Sequence, residues 1–237
     1  MIQGCFRFFA ELNDLLPEDR RETQIYLPSN GDQSVKHLIE SLGVPHTEVG
    51  QITVNGVLVD FSYRVQDGDQ IAVYPLSEQD GSIPIDQLRF ILDNHLGRLA
   101  VYLRMLGFDA LYRNDYQDEE LASVCSFENR ILLTRDKRLL MRNQVTRGYW
   151  VRSKAPRKQL EEVVQRYHLA AALHPFQRCV RCNTELVPVH KEDILHRLEP
   201  LTQRYYEEFA LCPVCDQIYW KGSHYERMLQ IIQNVLH

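Results

Sequence analysis

Four of the six cysteines fall in two Cys-x-x-Cys pairs, Cys179-Val180-Arg181-Cys182 and Cys212-Pro213-Val214-Cys215, with 29 residues between them. Each pair sets two thiolates on one tight turn, and two such turns complete a closed tetrahedral site. The chain over 179–215 must therefore fold back until both turns meet. A redox dithiol would need only one pair in a thioredoxin-like setting. The spacing predicts a structural Zn²⁺ held by Cys179, Cys182, Cys212 and Cys215, with no open position and so no chemistry of its own. The intervening loop exceeds the about 15–20 residues of the common pattern, as expected if it carries a helix, read here over 192–198. Cys5 and Cys125 read as small buried hydrophobes. In a cytosolic chain this pattern argues for metal rather than disulfides. Met1-Ile2-Gln3-Gly4-Cys5-Phe6-Arg7 lacks the charged and apolar regions of a secretory signal, and no run reaches the about 18 apolar residues of a membrane span. A cytoplasmic protein without a membrane partner is expected.

Charge divides the chain. Residues 1–84 carry a net −8 and residues 85–237 a net +3, so an acidic module precedes a mildly basic one. In the acidic part, partial alternation over 4–10 and the run 23–28 read as strands. Ser34 is an N-cap candidate for a helix whose apolar face is Val35, Leu38, Ile39 and Leu42, closed by Gly43. Asn55-Gly56 joins two strands, and Asp67-Gly68-Asp69 precedes a last strand over 70–75. This ββαβββ order, carried by Phe8-Phe9-Ala10-Glu11-Leu12, Val54-Asn55-Gly56 and Asp67-Gly68-Asp69-Gln70-Ile71, resembles the ubiquitin-like β-grasp fold and its sulfur-carrier branch over residues 2–76. The resemblance implies carriage through a free Gly-Gly terminus, but here the chain continues through 77–82 with one glycine. The module reads instead as a docking or scaffolding surface for a protein partner, or as a tether.

Residues 77–84, with Gly81 and Pro84, read as a polar linker. Beyond it, strands at 88–92, 110–113, 131–134 and 149–151 alternate with helical patterns at 96–106, 118–127, after Asp136 and at 157–167. That rhythm predicts an α/β domain built on a parallel sheet. Functional side chains of such sheets gather beyond the carboxyl ends of the strands. Asp93 follows Phe90-Ile91-Leu92 directly, Asp136 lies two residues past Ile131–Thr134, and Asp115, Asp118, Glu119 and Glu120 fall around the start of the second helix. Carboxylates delivered to one edge suit a hydrated Mg²⁺ or Mn²⁺ that binds phosphate oxygens and activates water. The same acids also fit helix caps and first-turn positions. Residues 135–158 hold nine Lys/Arg, among them Arg135, Lys137, Arg138, Arg152 and Lys154, and one acid, Asp136. Such a run suits a phosphate backbone or a solvated face. Tyr149 and Trp150 suit base stacking less well than a core strand.

The stretches Leu92-Asp93-Asn94-His95-Leu96-Gly97-Arg98-Leu99-Ala100, Leu103-Arg104-Met105-Leu106-Gly107-Phe108-Asp109, Asp118-Glu119-Glu120-Leu121 and Ile131-Leu132-Leu133-Thr134-Arg135-Asp136 resemble the PIN-like ribonucleases of the mutator-seven C-terminal family. The likeness covers about residues 87–230. It implies a PIN-like core followed by a zinc ribbon, and RNA cleavage dependent on Mg²⁺ or Mn²⁺. Carried over by position, it makes Asp93, Asp118 and Asp136 the acidic catalytic residues, with Glu119 replacing Asp118 if the alignment shifts by one. A fourth acid, common in PIN nucleases, has no clear counterpart after Asp136. The expected organisation is a β-grasp domain over 1–78, a nuclease core over 85–173, and a zinc ribbon with a closing helix over 174–237. A non-catalytic RNA-binding or protein-interaction adaptor on the same fold is the alternative. Tyr219-Trp220-Lys221-Gly222-Ser223-His224-Tyr225 resembles a further family signature, in which Ser223-His224-Tyr225-Glu226 also fits a capping box. His95, beside Asp93, is expected to be a packing residue or to support that site from behind its ligands, rather than to be a ligand itself.

Overall fold

The computed structural model of the chain describes residues 2–76, 84 and 87–236. Its first elements are β1 (Ile2–Phe8), β2 (Ile25–Ser29), α1 (Val35–Ser41), β3 (Val49–Val54), β4 (Val57–Val59) and β5 (Gln70–Pro75). They form one five-stranded sheet in the order β2-β1-β5-β3-β4. β1 and β5 run parallel, with Cys5 opposite Gln70, and the other neighbours are antiparallel. A parallel central pair flanked by hairpins, with one helix between the second and third strands, is the β-grasp arrangement. Alternation along the strands sends Phe6, Phe8, Ile52, Val54, Ile71 and Val73 into one core with Leu38 and Ile39 of α1. Ser34 caps α1, its hydroxyl accepting from the His37 N–H at 3.3 Å. The two turn motifs meet at Asp69, whose buried carboxylate accepts from Asn55 Nδ2 (2.9 Å), Tyr63 Oη (3.0 Å) and the Gln66 N–H (2.8 Å). Three donors satisfy a charge that would otherwise be costly to bury.

Then follow β6 (Arg89–Leu92), α2 (Gly97–Met105), β7 (Asp109–Tyr112), α3 (Asp118–Phe127), β8 (Ile131–Thr134), α4 (Lys137–Leu140), β9 (Gly148–Trp150) and α5 (Pro156–Arg166). β6 pairs with β7 in parallel, Phe90 opposite Ala110. β8 pairs with β9 in parallel, Leu133 opposite Tyr149. Phe90-Ile91-Leu92 and Ile131–Thr134 are buried without interruption, as parallel strands covered on both faces require. The last elements are β10 (Val187–Val189), α6 (Lys191–Ile194), α7 (Pro200–Tyr205), β11 (Phe209–Leu211), β12 (Ile218–Trp220) and α8 (Ser223–Leu236), with β10-β11-β12 an antiparallel sheet.

Several sequence expectations need correction. The helix read over 192–198 ends at Ile194 and continues as a 3₁₀ turn to Arg197, and α7 then opens with Pro200 in its first turn. α8 begins at Ser223, with the Glu226 N–H bonded to the Gly222 carbonyl. Gly222, not Ser223, therefore occupies the cap position. His95 is exposed rather than packed, whereas Cys5 and Cys125 are buried as expected. The linker read over 77–84 lies, Pro84 apart, outside the described residues. No helix among the described residues is long and apolar enough to cross a membrane.

The chain groups into two compact units that are discontinuous in sequence: Met1–Ile83 with Asp118–Trp150, and Pro84–Gln117 with Val151–His237. Within the first, polar contacts tie residues 118–150 to the β-grasp module. Glu48, 2% exposed, accepts from the Trp150 N–H at 2.6 Å. Lys137 Nζ donates to the Leu15 carbonyl (2.8 Å) and lies 4.6 Å from the centre of the Trp150 ring. The His46 ring nitrogens lie 2.7 Å from Glu40 Oε1 and 2.8 Å from the Val145 carbonyl, and Lys36 Nζ donates to Asn143 Oδ1 (2.9 Å).

Candidate functional site

The four cysteines converge. Their Sγ atoms all lie within 4.8 Å of one another, with Cys179 and Cys215 at 3.5 Å and Cys182 and Cys212 at 3.3 Å. A tetrahedral ion with metal–sulfur bonds of about 2.3 Å needs sulfurs about 3.8 Å apart, so the quartet can close on Zn²⁺ with little movement. Both turns are pre-shaped: the Asn183 N–H bonds the Cys179 carbonyl (2.9 Å) and the Asp216 N–H bonds the Cys212 carbonyl (3.0 Å), with Asn183 and Asp216 at positive φ. Sulfurs this close cannot all ionise without a cation. Burial opposes ionisation of Cys182, yet the Thr184 hydroxyl and N–H and the adjacent sulfurs bring its thiol down to about 6. Burial and the same neighbouring sulfurs push Cys215 up to about 12.

Two side chains outside the motif dock the first cysteine turn onto the parallel strands. Arg104 is 4% exposed on α2. Its Nε donates to the Ala110 carbonyl (2.9 Å), and its Nη1 donates to the Val180 (3.1 Å) and Arg181 (2.9 Å) carbonyls. Burial lowers its pKa, while the Cys179 and Cys182 thiols and Asp109 favour its charge. Asn183 accepts from the Ala110 N–H (2.9 Å) and donates to Asp109 Oδ1 (2.7 Å). The signal for Arg104 was its place on the apolar stripe of α2, where an arginine stays only if its donors find acceptors.

The acidic residues sit on short, fixed turns. Asp93 is 8% exposed just past β6, and its Oδ1 accepts from the Asn94 N–H at 2.6 Å. Tyr112 Oη donates to the Asn94 carbonyl (2.9 Å). Its hydroxyl lies where a Cβ on Gly97 would come within 2.7 Å, which explains a glycine opening a helix. Asp136 is exposed past β8 and caps α4, accepting from the Arg138 N–H at 2.8 Å, while its own N–H bonds Thr134 Oγ1 (2.9 Å). Asp118 and Glu119 are the first residues of α3 rather than its cap, and both are exposed. They share Arg142, whose Nη2 lies 3.6 Å from Asp118 and 3.0 Å from Glu119. The backbone N–H at the helix start and then Arg142 hold the Glu119 carboxyl below its ordinary pKa. Asp115 is paired with Arg113 (3.0 Å). Both the capping and the first-turn geometries anticipated for these acids are thus present.

Of the basic residues, Arg138 and Lys154 are exposed, and Arg135, Lys137 and Arg152 are half-buried. Lys137 is engaged with Leu15 and Trp150. The Arg152 and Ser153 N–H groups are held by the Glu162 carboxylate (2.8 and 3.0 Å), which fixes the chain entering α5. Tyr149 is buried, and Trp150 packs against the β-grasp core.

A model of the Mut7-C RNAse domain matches residues 88–232, and a model of the Mut7-C ubiquitin domain matches residues 1–80. Among solved structures, small archaeal modifier protein 1 of H. volcanii is 16% identical, covering 32% of this chain and 100% of its own at a TM-score of 0.26. The HVO 2177 protein of Haloferax volcanii is 21% identical, covering 33% of this chain and 86% of its own at a TM-score of 0.28. No curated protein matches the chain.

Proposed function

Because this chain belongs to the Mut7-C RNase family, we propose that it hydrolyses RNA phosphodiester bonds at a Mg²⁺ or Mn²⁺ ion held by Asp93, Asp118 and Asp136, with Glu119 as the substitute for Asp118. The observation that carries the reading is the family match across 88–232, which spans all three acids. The placing of Asp93 directly beyond β6 and of Asp136 two residues beyond β8 supports it. A divalent ion there would supply Lewis-acid chemistry and a water of lowered pKa. The carboxylates are hard oxygen donors of the right type, and capping α4 through Oδ1 leaves Oδ2 of Asp136 outside that hydrogen bond. The role of the chain is to fix them: β6 and β8 end in buried runs that set the position of each turn, and Tyr112 pins the Asp93 turn through Asn94. Arg135, Lys137, Arg138, Arg152 and Lys154 would line the path of the phosphate backbone, with the exposed Arg138 and Lys154 foremost.

The same reading assigns Zn²⁺ to Cys179, Cys182, Cys212 and Cys215 as a structural ion. It divides the chain into a β-grasp domain over 1–78, a nuclease core over 85–173 and a ribbon over 174–237, acting on RNA in the cytoplasm. The β-grasp domain would serve a protein partner. A second reading, a non-catalytic RNA-binding adaptor, is favoured by the pairing of Arg142 with both Asp118 and Glu119, which offsets charge the ion would need. Cleavage of a labelled RNA across a Mn²⁺ and Mg²⁺ titration separates the two: metal-dependent product supports the nuclease, and binding without product supports the adaptor.

A further inference from the structure

The ribbon sheet carries a cavity that neither the metal site nor the acidic residues use. Its floor is a row across three strands, since Pro188 is opposite Ala210 and Ala210 opposite Tyr219. Alternation puts this row on the face away from Phe209 and Ile218, which bury with Ile194 and Leu198. An alanine between a proline and a tyrosine leaves a depression there. Phe176 and Tyr225, with ring centres 4.1 Å apart, form one wall. The hydroxyl of Tyr219 is bonded to Cys179 Sγ (3.1 Å), so this ring is held by the cysteine site. Trp220, opposite Phe209 and two residues from Ile218, alternates to the other face of the sheet but still lines the cavity where β12 ends. It is 39% exposed, its indole packed so closely over Gly222 that a Cβ there would lie 2.7 Å from Nε1. The cavity measures about 610 Å³, within the about 300–1,000 Å³ of small-molecule sites.

We infer that this cavity takes one unstacked nucleobase of single-stranded RNA. The rim decides the class of ligand. Lys191 Nζ pairs with Glu207 (2.6 Å) and Lys221 Nζ with Glu208 (2.5 Å), and Glu192 adds a third carboxylate. Arg178 and the two lysines balance the three carboxylates around the cavity, so its lining has no excess of positive charge to favour a phosphate. A neutral flat ring with donors and acceptors on its edge meets aromatic walls and a rim offering both kinds of partner. Each ammonium has three donors, so Lys191 and Lys221 can also reach the flanking backbone outside. Aromatic walls beside lysines are the usual means of holding a single strand without reading its sequence. The choice of RNA over other carriers of such a ring rests on the ribonuclease reading, whereas the cavity does not.

The test measures binding by the full chain with no added divalent ion and at raised salt. A short oligoadenylate is compared with an oligomer of the same length whose central residues are abasic. We expect the base-bearing strand to bind about 10-fold tighter or more and to quench Trp220 emission in a Trp150→Phe background. Trp220→Ala, and Ala210→Leu, which fills the depression, should each abolish that preference while zinc content and melting temperature stay unchanged. Equal affinity for the two strands, or a preference that survives both substitutions, overturns the proposal. So does displacement of the strand by N-acetyl-tryptophanamide at concentrations where adenosine fails, which would mark a peptide site. Base preference without any metal-dependent cleavage would keep the cavity assignment and remove the nuclease reading; cleavage without base preference would do the reverse.

Discussion

Glu48 offers a direct probe of how the β-grasp module and residues 118–150 hold together. Its carboxylate is 2% exposed and accepts from the Trp150 N–H at 2.6 Å, where β9 ends and its ladder with β8 runs out. Glu48→Ala removes a charge-assisted hydrogen bond, worth about 1.5–3 kcal/mol, and leaves a backbone donor without this acceptor. Glu48→Gln keeps an acceptor oxygen of nearly the same volume and should cost about 1 kcal/mol. For a chain of this size about 1 kcal/mol moves the melting temperature by about 2–4 °C. Thermal melts should therefore fall by about 5–10 °C for the alanine variant and by about half as much or less for the glutamine. Loss of order should also appear as a change in Trp150 fluorescence. If Glu48→Ala melts with the unaltered protein, the carboxylate does not hold β9, and the coupling of the two segments through this bond is wrong.

Other consequences are as direct. Arg104→Met should destabilise the chain by about 2–3 kcal/mol, because one buried and two partly buried carbonyls lose their donor, and should speed metal release to a chelator; unchanged release would show that the first cysteine turn does not depend on α2. Purified protein should carry one zinc per chain by elemental analysis, and a Cys179→Ser, Cys212→Ser protein should lose both the metal and the folded ribbon. Affinity for single-stranded RNA should fall steeply with salt, and Arg138→Ala with Lys154→Ala should reduce the logarithmic slope by about 1.4. A slope unaffected by both substitutions would leave the basic run as a solvated face.

The elements that sequence reasoning found are those in which local chemistry and burial agree. Ser34 caps α1, Asn55-Gly56 turns β3 into β4, and the apolar runs of β6 and β8 form parallel strands. The cysteine spacing brought four sulfurs within 4.8 Å of one another. What stayed hidden depends on distant partners. Glu48 reads as a surface acid until Trp150, about 100 residues away, supplies its donor. Arg104 stands on the apolar stripe of α2, but the carbonyls of Val180 and Arg181 that take its donors lie more than 70 residues away. Likewise, nothing local announces that 118–150 groups with the β-grasp module. α7 differs, because Pro200 after Glu199 is itself a local helix-start signal, lying just beyond the single helix expected over 192–198. For the acids, a cap and a metal ligand share one local signature: a carboxylate at a strand end.

That shared signature shows how to test the central claim. Asn caps a helix about as well as Asp, whereas Ala costs about 0.5–2 kcal/mol; Asn, however, lacks the charge that holds a divalent cation. The decisive measurement is Mn²⁺-dependent cleavage of RNA by Asp93→Asn and Asp136→Asn, read alongside their melting curves and those of the matching Ala variants. The nuclease account predicts that both Asn variants lose cleavage by about 100-fold or more while melting within a degree or two of the unaltered protein. Full cleavage by the Asn variants, with only the Ala variants destabilised, would contradict it and leave Asp93 and Asp136 as caps.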